Sequence, residues 1–269
     1  MTTMSEAWRQ RLAHPSWRAP EIGPKHGLGS WVPWNRRRAL LHFILQTPFR
    51  RMGRRFQAFA QTLRAGRRLA AVHGRVFDLD DLRQVLTVAC VRHYVDMSGP
   101  RTFAVIGDGY GRLAGLLLAT LPDCRVVLVN LELPLSVDVK ALRRVWPTLD
   151  RLIAVPASEA ASLRAMPLSG AFNVSSMQEM TLATIADYFT TLRGAAAATT
   201  WFYCSNADAK RQPDGTVVRF DEYSWDDRDE ILLNARCPWA QSNYEAWPPH
   251  YFARETNIRH RLARLHKLS

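Results

Sequence analysis

Five residues, Gly107-Asp108-Gly109-Tyr110-Gly111, set three glycines at alternate positions between a short apolar run, Thr102–Ile106, and a helical pattern, Leu113–Leu121. Glycine lets the backbone take positive φ there and lets a ligand approach closely. The helix that follows offers N–H groups and the positive end of its dipole. Glu132 stands 21 residues beyond Gly111, just past a strand candidate at Arg125–Leu131. A carboxylate at that point accepts hydrogen bonds from a ribose diol. The chemistry implied is a nucleotide-type cofactor at the switch point of a doubly wound sheet. Two cofactors compete for it. The dinucleotide fingerprint G-x-G-x-x-G/A, begun at Gly107, meets Arg112 where Gly or Ala is required. Begun at Gly109 it fits through Gly111 and Ala114, but later than a strand ending near Ile106 would place it. The looser G-x-G-x-G with an acid inside the loop is the usual look of an S-adenosylmethionine (SAM) loop, with Asp108 toward the methionine part or the sulfonium. That reading is preferred over NAD.

These residues need elements to position them. Residues 1–35 mix Trp, Pro, Gly and Arg without periodicity and read as an irregular basic arm. Residues 36–99 read as an N-terminal helical segment. Phe49, Met52, Phe56, Phe59 and Leu63 recur three or four apart on one face, and Pro48 interrupts the run. Asp78 is placed to cap a helix that continues to about Tyr94. Residues 100–269 form the third unit. Strand candidates at 102–106, 125–131, 152–155, 171–175 and 199–204 alternate with helical stretches at 113–121, 134–146 and 181–193. The alternation predicts βαβ units and a mostly parallel sheet. Past Asn206 the pattern loosens into turns and antiparallel strands. A basic amphipathic helix is expected from about Glu255 to Lys267.

The second half carries a longer series: Asn173-Val174-Ser175-Ser176-Met177-Gln178-Glu179-Met180, Phe202-Tyr203-Cys204-Ser205-Asn206, Asp221-Glu222-Tyr223-Ser224-Trp225, Cys237-Pro238-Trp239, Pro248-Pro249-His250 and Arg259-His260-Arg261-Leu262. With the glycine loop and Leu131-Glu132-Leu133-Pro134, it resembles a family of bacterial SAM-dependent sugar O-methyltransferases. The resemblance covers about residues 100–268. The family's acidic residue before the loop is Ile106 here, and its Asp-Leu-Pro appears as Glu132-Leu133-Pro134. The resemblance implies an α/β, Rossmann-like class I methyltransferase fold with a mostly parallel doubly wound sheet and N-terminal helices. It implies SAM as cofactor, held by Gly107, Asp108, Gly109, Gly111, Glu132 and Gln178. The acceptor it implies is a sugar hydroxyl of a natural product, polysaccharide or glycolipid.

A sugar hydroxyl is a weak nucleophile, so a general base must take its proton as the C–O bond forms. Glu179 follows the fourth strand candidate, where the carboxyl ends of strands line the ligand crevice; its other reading is a first-turn helix acid. His250 has the right pKa class, and His260 lies between two arginines that would favour its neutral form. Asp221 and Tyr223 are candidates for holding sugar hydroxyls, and Trp239 and Trp247 for stacking on a sugar face. No H-x-x-H or carboxylate cluster marks a metal site. An NAD(P)-dependent oxidoreductase acting on a nucleotide sugar is the competing enzyme. A non-catalytic phosphate- or membrane-binding adaptor on a degenerate methyltransferase fold is the competing reading of another class.

The 269 residues carry a net charge of +12, unevenly. Residues 1–75 hold 15 basic and 2 acidic side chains; the remaining 21 basic and 22 acidic residues nearly cancel. A hydrophobic content of 47% excludes global disorder. The basic segment supports three readings beyond a plain arginine-rich surface: a cap meeting the phosphates of a nucleotide- or lipid-linked sugar, an interfacial helix at 36–68 on anionic lipid, or an RNA-binding stripe. No RNA-binding module or Asn-Pro-Pro-Tyr element supports the last, so nucleic acid is not expected. The apolar run 39–45 is too short to span a bilayer. Residues 1–30 show no secretory pattern, and Cys90, Cys124, Cys204 and Cys237 form no pair by spacing. The expectation is a cytoplasmic protein, with peripheral contact at the inner membrane face under the lipid reading.

Overall fold

A computed structural model describes residues 31–267. The irregular arm assigned to 1–35 therefore lies outside the described residues except at its end. There, Pro33 bridges Arg75.

Four helices open the described chain. Asn35 caps α1 (Arg36–Leu45), its Oδ1 accepting from the N–H groups of Arg37 and Arg38 at 3.0 and 3.3 Å. Pro48 sits in the first turn of α2 (Thr47–Gly53), where its missing N–H costs nothing. The expected single face then resumes in α3 (Phe59–Val72). In α4 (Leu79–Tyr94), Asp78 and Asp81 form a capping box, each carboxylate accepting the other's backbone N–H. Leu82, Val85, Leu86 and Ala89 are buried along α4, whereas His93 is exposed.

The remainder is a doubly wound sheet. Strands β1 (Thr102–Ile106), β2 (Arg125–Asn130), β3 (Leu152–Pro156), β4 (Leu168–Val174) and β5 (Thr200–Ala207) are mutually parallel. They are linked by α5 (Arg112–Thr120), α6 (Glu132–Arg143), a 3₁₀ segment at Ala157–Ala165, and α7 (Leu182–Arg193). Two small hairpins follow, β6 (Ala209–Arg211) with β7 (Val217–Arg219), and β9 (Ser242–Ala246) with β10 (Pro249–Ala253). The last strand, β11 (Ile258–Leu265), is antiparallel to both β5 and β8 (Glu230–Arg236). The sheet order is β3-β2-β1-β4-β5-β11-β8. This is the Rossmann-like arrangement that the alternating pattern implies. Chain order reverses between β1 and β4, which opens a crevice at their carboxyl ends.

Period-two side chains split the core in two. Phe103 and Val105 of β1 join α3, α4 and α5 on one face, while Ala104 and Ile106 join the 3₁₀ segment and α7 on the other. The N-terminal helices thus share a core with the sheet.

One element differs in kind from its expectation. Residues 258–265 are a strand, not a basic helix. Ile258, His260 and Leu262 are buried on one face, and Arg259 and Arg261 lie on the other, where Arg261 stacks over Trp225. A register shift between Leu262 and Ala263 then resets the alternation. Both edges of this strand are hydrogen-bonded by neighbours, so the sheet overrides a segment whose arginines read as a helix face.

Candidate functional site

A cavity of about 290 Å³ opens at the carboxyl ends of β1, β2 and β4. That is at the lower edge of small-molecule sites, roughly 300–1,000 Å³. Gly107, Asp108 and Gly109 form its floor. Asn130 from β2 and Val174, Ser175, Ser176, Gln178 and Glu179 after β4 form its sides. The first turns of α4 add Asp80, Arg83 and Gln84, and Arg254 comes from the far end of the β9–β10 hairpin.

The glycine loop is held by close packing. Gly107 has φ +71°, and its N–H donates to the Val129 carbonyl at 2.8 Å. A Cβ there would lie 2.2 Å from Ser176 Oγ. Ser176 Oγ in turn donates to the Ile106 carbonyl at 3.0 Å, beside Asn173 Nδ2 at 3.0 Å. Gly111, with φ +64°, caps α5 behind the loop, and its N–H donates to buried Asp138 at 3.1 Å. A Cβ on Gly111 would press on Leu142 at 2.8 Å.

Asp108 does something the sequence reading did not foresee. Its two carboxylate oxygens accept the N–H groups of Leu113 and Ala114, at 3.0 and 2.7 Å. The Arg112 N–H meets the Gly109 carbonyl at 3.4 Å, and the Gly115 N–H meets Gly111. The first-turn amides of α5 are thus all engaged within the chain. Burial raises the Asp108 acid to about 6, against the opposing pull of those N–H donors.

The wall behind the loop is ionic. Arg112, the residue that breaks the dinucleotide fingerprint, is buried. It donates to Asp78 at 2.8 Å and lies 3.4 Å from Asp81, which also pairs with Arg75. Burial lifts the Asp78 acid to about 6 despite Arg112. Burial pushes Asp81 up as well, but Arg112 and Arg75 hold it below the usual carboxylate range. Trp31 packs on Tyr110 of the loop at 5.0 Å between centroids.

Of the sequence-predicted residues, Gly107, Asp108, Gly109, Gln178 and Glu179 come together around the cavity. Gln178 is braced: its Oε1 accepts the Ala207 N–H at 2.7 Å, and its own N–H donates to Asn206 Oδ1 at 3.1 Å. Glu179 closes the short 3₁₀ turn Met177–Glu179 and is half-buried.

The others lie elsewhere. Glu132 is exposed in the first turn of α6, and Asn130, two residues earlier, reaches the cavity wall. His250 is exposed beside the tip of the β9–β10 hairpin, four residues of extended chain, or about 13 Å, from Arg254. His260 is 2% exposed, edge-on to Trp239 and 3.1 Å from the Tyr203 hydroxyl. Burial, with a lesser push from Arg55, lowers its pKa to about 4. Burial, and not the flanking Arg259 and Arg261, is the main cause. Trp239 is 1% exposed, packed between Phe56 and His260. Tyr223 is buried against Phe220, and burial drives its hydroxyl pKa up. Asp221 is exposed and pairs with Arg259 at 2.5 Å. Trp247 is exposed at the hairpin tip.

Arg83, Gln84, Asn130 and Arg254 were missed as cavity residues. Arg83 and Arg254 lie far apart in sequence, and no local motif joins them. Among the described residues no group of three His, Cys, Asp or Glu is gathered for a metal, and the four cysteines are free and buried. No described helix is long and apolar enough to cross a membrane.

No family model and no curated protein matches this chain. Solved structures do resemble it. The pyocyanin biosynthetic protein PhzM is 14% identical over 67% of this chain and 57% of its own, with a TM-score of 0.45. The Burkholderia thailandensis 1,6-didemethyltoxoflavin-N1-methyltransferase, solved with S-adenosylhomocysteine, is 14% identical over 68% and 76%, at 0.47. The Streptomyces coelicolor geranyl diphosphate C-methyltransferase, also solved with S-adenosylhomocysteine, is 12% identical over 69% and 83%, at 0.47. These likenesses concern the fold.

Proposed function

We propose that the chain is a SAM-dependent methyltransferase acting on a sugar hydroxyl. The observation that carries the cofactor is the engagement of Asp108 with α5. A dinucleotide rests its pyrophosphate on free N–H groups at this helix start. Here a carboxylate already holds them, and a pyrophosphate would meet like charge. SAM needs no phosphate at that helix start and brings both a sulfonium cation and a carboxylate, which suits a cavity lined by Asp80, Asp108 and Glu179 and also by Arg83, Arg112 and Arg254. Gly107 and Gly109 allow close approach, and Asn130 and Gln178 line the cavity with side chains already oriented, Asn130 by Asp138 and Gln178 by the Ala207 N–H. SAM supplies a methyl group already activated for in-line displacement from sulfur. The chain's task is then to align the acceptor oxygen and receive its proton. Glu179 is the carboxylate proposed to receive it. What supports the sugar acceptor is the resemblance centred on Ser176-Met177-Gln178-Glu179-Met180. Calorimetric titration with SAM, S-adenosylhomocysteine and NAD(H) tests the cofactor. Binding of NAD(H) without SAM rejects the proposal in favour of the oxidoreductase, and binding of neither favours the adaptor. Release of S-adenosylhomocysteine across a panel of glycosides and sugar phosphates then tests the acceptor.

A peripheral membrane contact is proposed for the N-terminal helices. What supports it is the exposure of Leu40, Phe43 and Ile44 on α1 beside exposed Arg36, Arg37 and Arg38.

A further inference from the structure

Arg254 stands at the cavity with unusually little to hold it. Its backbone N–H donates to the Gln241 carbonyl at 2.9 Å, which fixes the chain. Its guanidinium makes no hydrogen bond or ion pair with the described residues, and Nε is buried without a partner. Asp80 is the carboxylate whose charge acts on it. Asp80, however, is bonded to Arg83 at 3.4 Å. Burial holds the Arg254 pKa below its usual value.

Arg83 contrasts with it. Its Nε donates to the Trp239 carbonyl at 3.2 Å, and Nη2 donates to the Ser242 carbonyl at 2.6 Å and Asn243 Oδ1 at 2.7 Å. These bonds tie α4 to the base of the β9–β10 hairpin, which carries Arg254. They also fix a second, nearly buried guanidinium at the same wall. Burial first, and the charge of Arg254 next, bring the Arg83 pKa down to about 10. Two guanidiniums therefore line one cavity, and the Asp80 carboxylate bears on both. Such an arrangement is costly unless an anion completes it. Elsewhere on the wall Arg112 is matched with Asp78 and Asp81 and Asp108 with the α5 amides, and Glu179 faces the same cavity.

We propose that Arg254, backed by Arg83, binds an oxyanion in the cavity, a phosphate or carboxylate of the molecule bound there. A guanidinium fork suits either group. This deepens the methyltransferase reading, because the oxyanion belongs either to a phosphorylated or acidic sugar acceptor or to the amino-acid carboxylate of SAM.

The test uses the full chain, Arg254→Ala and Arg254→Lys, with pyrophosphate, S-adenosylhomocysteine and 5′-methylthioadenosine as calorimetric probes. 5′-Methylthioadenosine lacks the amino-acid end. The Arg254 side chain has no bond to lose among the described residues, so Arg254→Ala keeps the wild-type thermal midpoint, which is checked first. If the oxyanion is the acceptor's, Arg254→Ala weakens pyrophosphate by about ten- to a hundredfold, the worth of a hydrogen bond to a charged group. Arg254→Lys restores part of the loss, and S-adenosylhomocysteine is unaffected. If it is the cofactor's, the same loss falls on S-adenosylhomocysteine and spares 5′-methylthioadenosine. Arg254→Ala binding both pyrophosphate and S-adenosylhomocysteine as wild type does overturns the proposal. Wild-type protein that binds neither S-adenosylhomocysteine nor 5′-methylthioadenosine would defeat the methyltransferase reading, while the pyrophosphate arm still decides the role of Arg254.

Discussion

Gly107→Ala tests the geometry of the loop more sharply than any other single change. Two costs are separable. The first is the backbone, since φ +71° is left-handed and costs a residue with a Cβ about 1–2 kcal/mol. The second is a collision. The new Cβ would lie 2.2 Å from Ser176 Oγ and 2.4 Å from Ser176 Cβ, so Ser176 must move. Its 3.0 Å bond to the Ile106 carbonyl is then lost, at about 0.5–1.5 kcal/mol. The total is about 1.5–3.5 kcal/mol, read as a lower urea midpoint at unchanged slope. Ser176→Gly removes both offending atoms. In that background Gly107→Ala keeps only the backbone cost, and the double-mutant cycle yields a favourable coupling of about 0.5–1.5 kcal/mol. S-adenosylhomocysteine affinity falls in Gly107→Ala and recovers in part in the double variant. Equal costs in both backgrounds, within the roughly 0.3–0.5 kcal/mol scatter of independent sites, refute the close approach of the two turns.

Five further outcomes follow. Arg112→Met takes the guanidinium away from buried Asp78 and leaves Asp81 with Arg75 alone among the arginines; it lowers stability by about 3–5 kcal/mol, whereas exposed Arg64→Ala stays within about 0.5 kcal/mol; thermal melts compare them. Asp108 has a folded pKa of about 6, above the ordinary 3.8, so its proton favours the folded chain. That contribution is full below the unfolded value and is lost as pH rises through about 6. Asp108→Asn removes this slope, so the variant gains on wild type between about pH 4 and pH 7, measured as urea midpoints across that range. Glu179→Gln lowers kcat by about 10²–10⁴-fold, with the fold intact. His260→Gln lowers the melting point and leaves the activity of the folded fraction, and His250→Ala changes neither; turnover per folded molecule decides. Finally, the chain co-sediments with anionic but not zwitterionic vesicles, and Leu40→Glu with Ile44→Glu abolishes this without altering cofactor affinity.

The sequence was most legible where one local signal sufficed. Asp78 marked the start of α4 because a capping carboxylate is a local device, and β1 with its glycine turn could be placed to the residue. The last strand was not legible. Over eight residues the arginines at 259, 261 and 264 satisfy a helical stripe nearly as well as an alternation. Only the open edge of β5 decides between them. Aromatic and titratable residues misled in a consistent direction. Trp239, Tyr223 and His260 have the chemistry of a sugar site, but in this chain Trp239 and His260 fill space on the α4 side of the sheet, and Tyr223 packs with Phe220 in the core on the α7 side. Arg112 gave no local signal of its place. Its partner Asp78 is 34 residues away, so nothing near it in sequence announced a buried charge.

The net charge of +12 takes a different meaning once the arginines are placed. No Asp or Glu occurs between Glu21 and Asp78, so the arginines of that stretch find a carboxylate only from elsewhere in the fold. Arg75 does, at Asp81, and joins Arg112 and Asp78 in one buried network. That network sits under the first turn of α4, and the same turn presents Asp80, Arg83 and Gln84 to the cavity. The arginines of α1–α3 and the turn beyond α2 form no ion pair with a described residue, and except for Arg50 they are exposed. Basic charge therefore serves two ends. Buried and paired, it sets the position of a cavity wall and is insensitive to salt. Exposed and unpaired, it makes any association of the N-terminal helices with an anionic surface salt-dependent. Raising the ionic strength should consequently strip the chain from anionic vesicles while leaving its melting point nearly unchanged. A melting point that falls in step with vesicle release would mean that the exposed arginines, and not the buried network, anchor the N-terminal helices to the sheet.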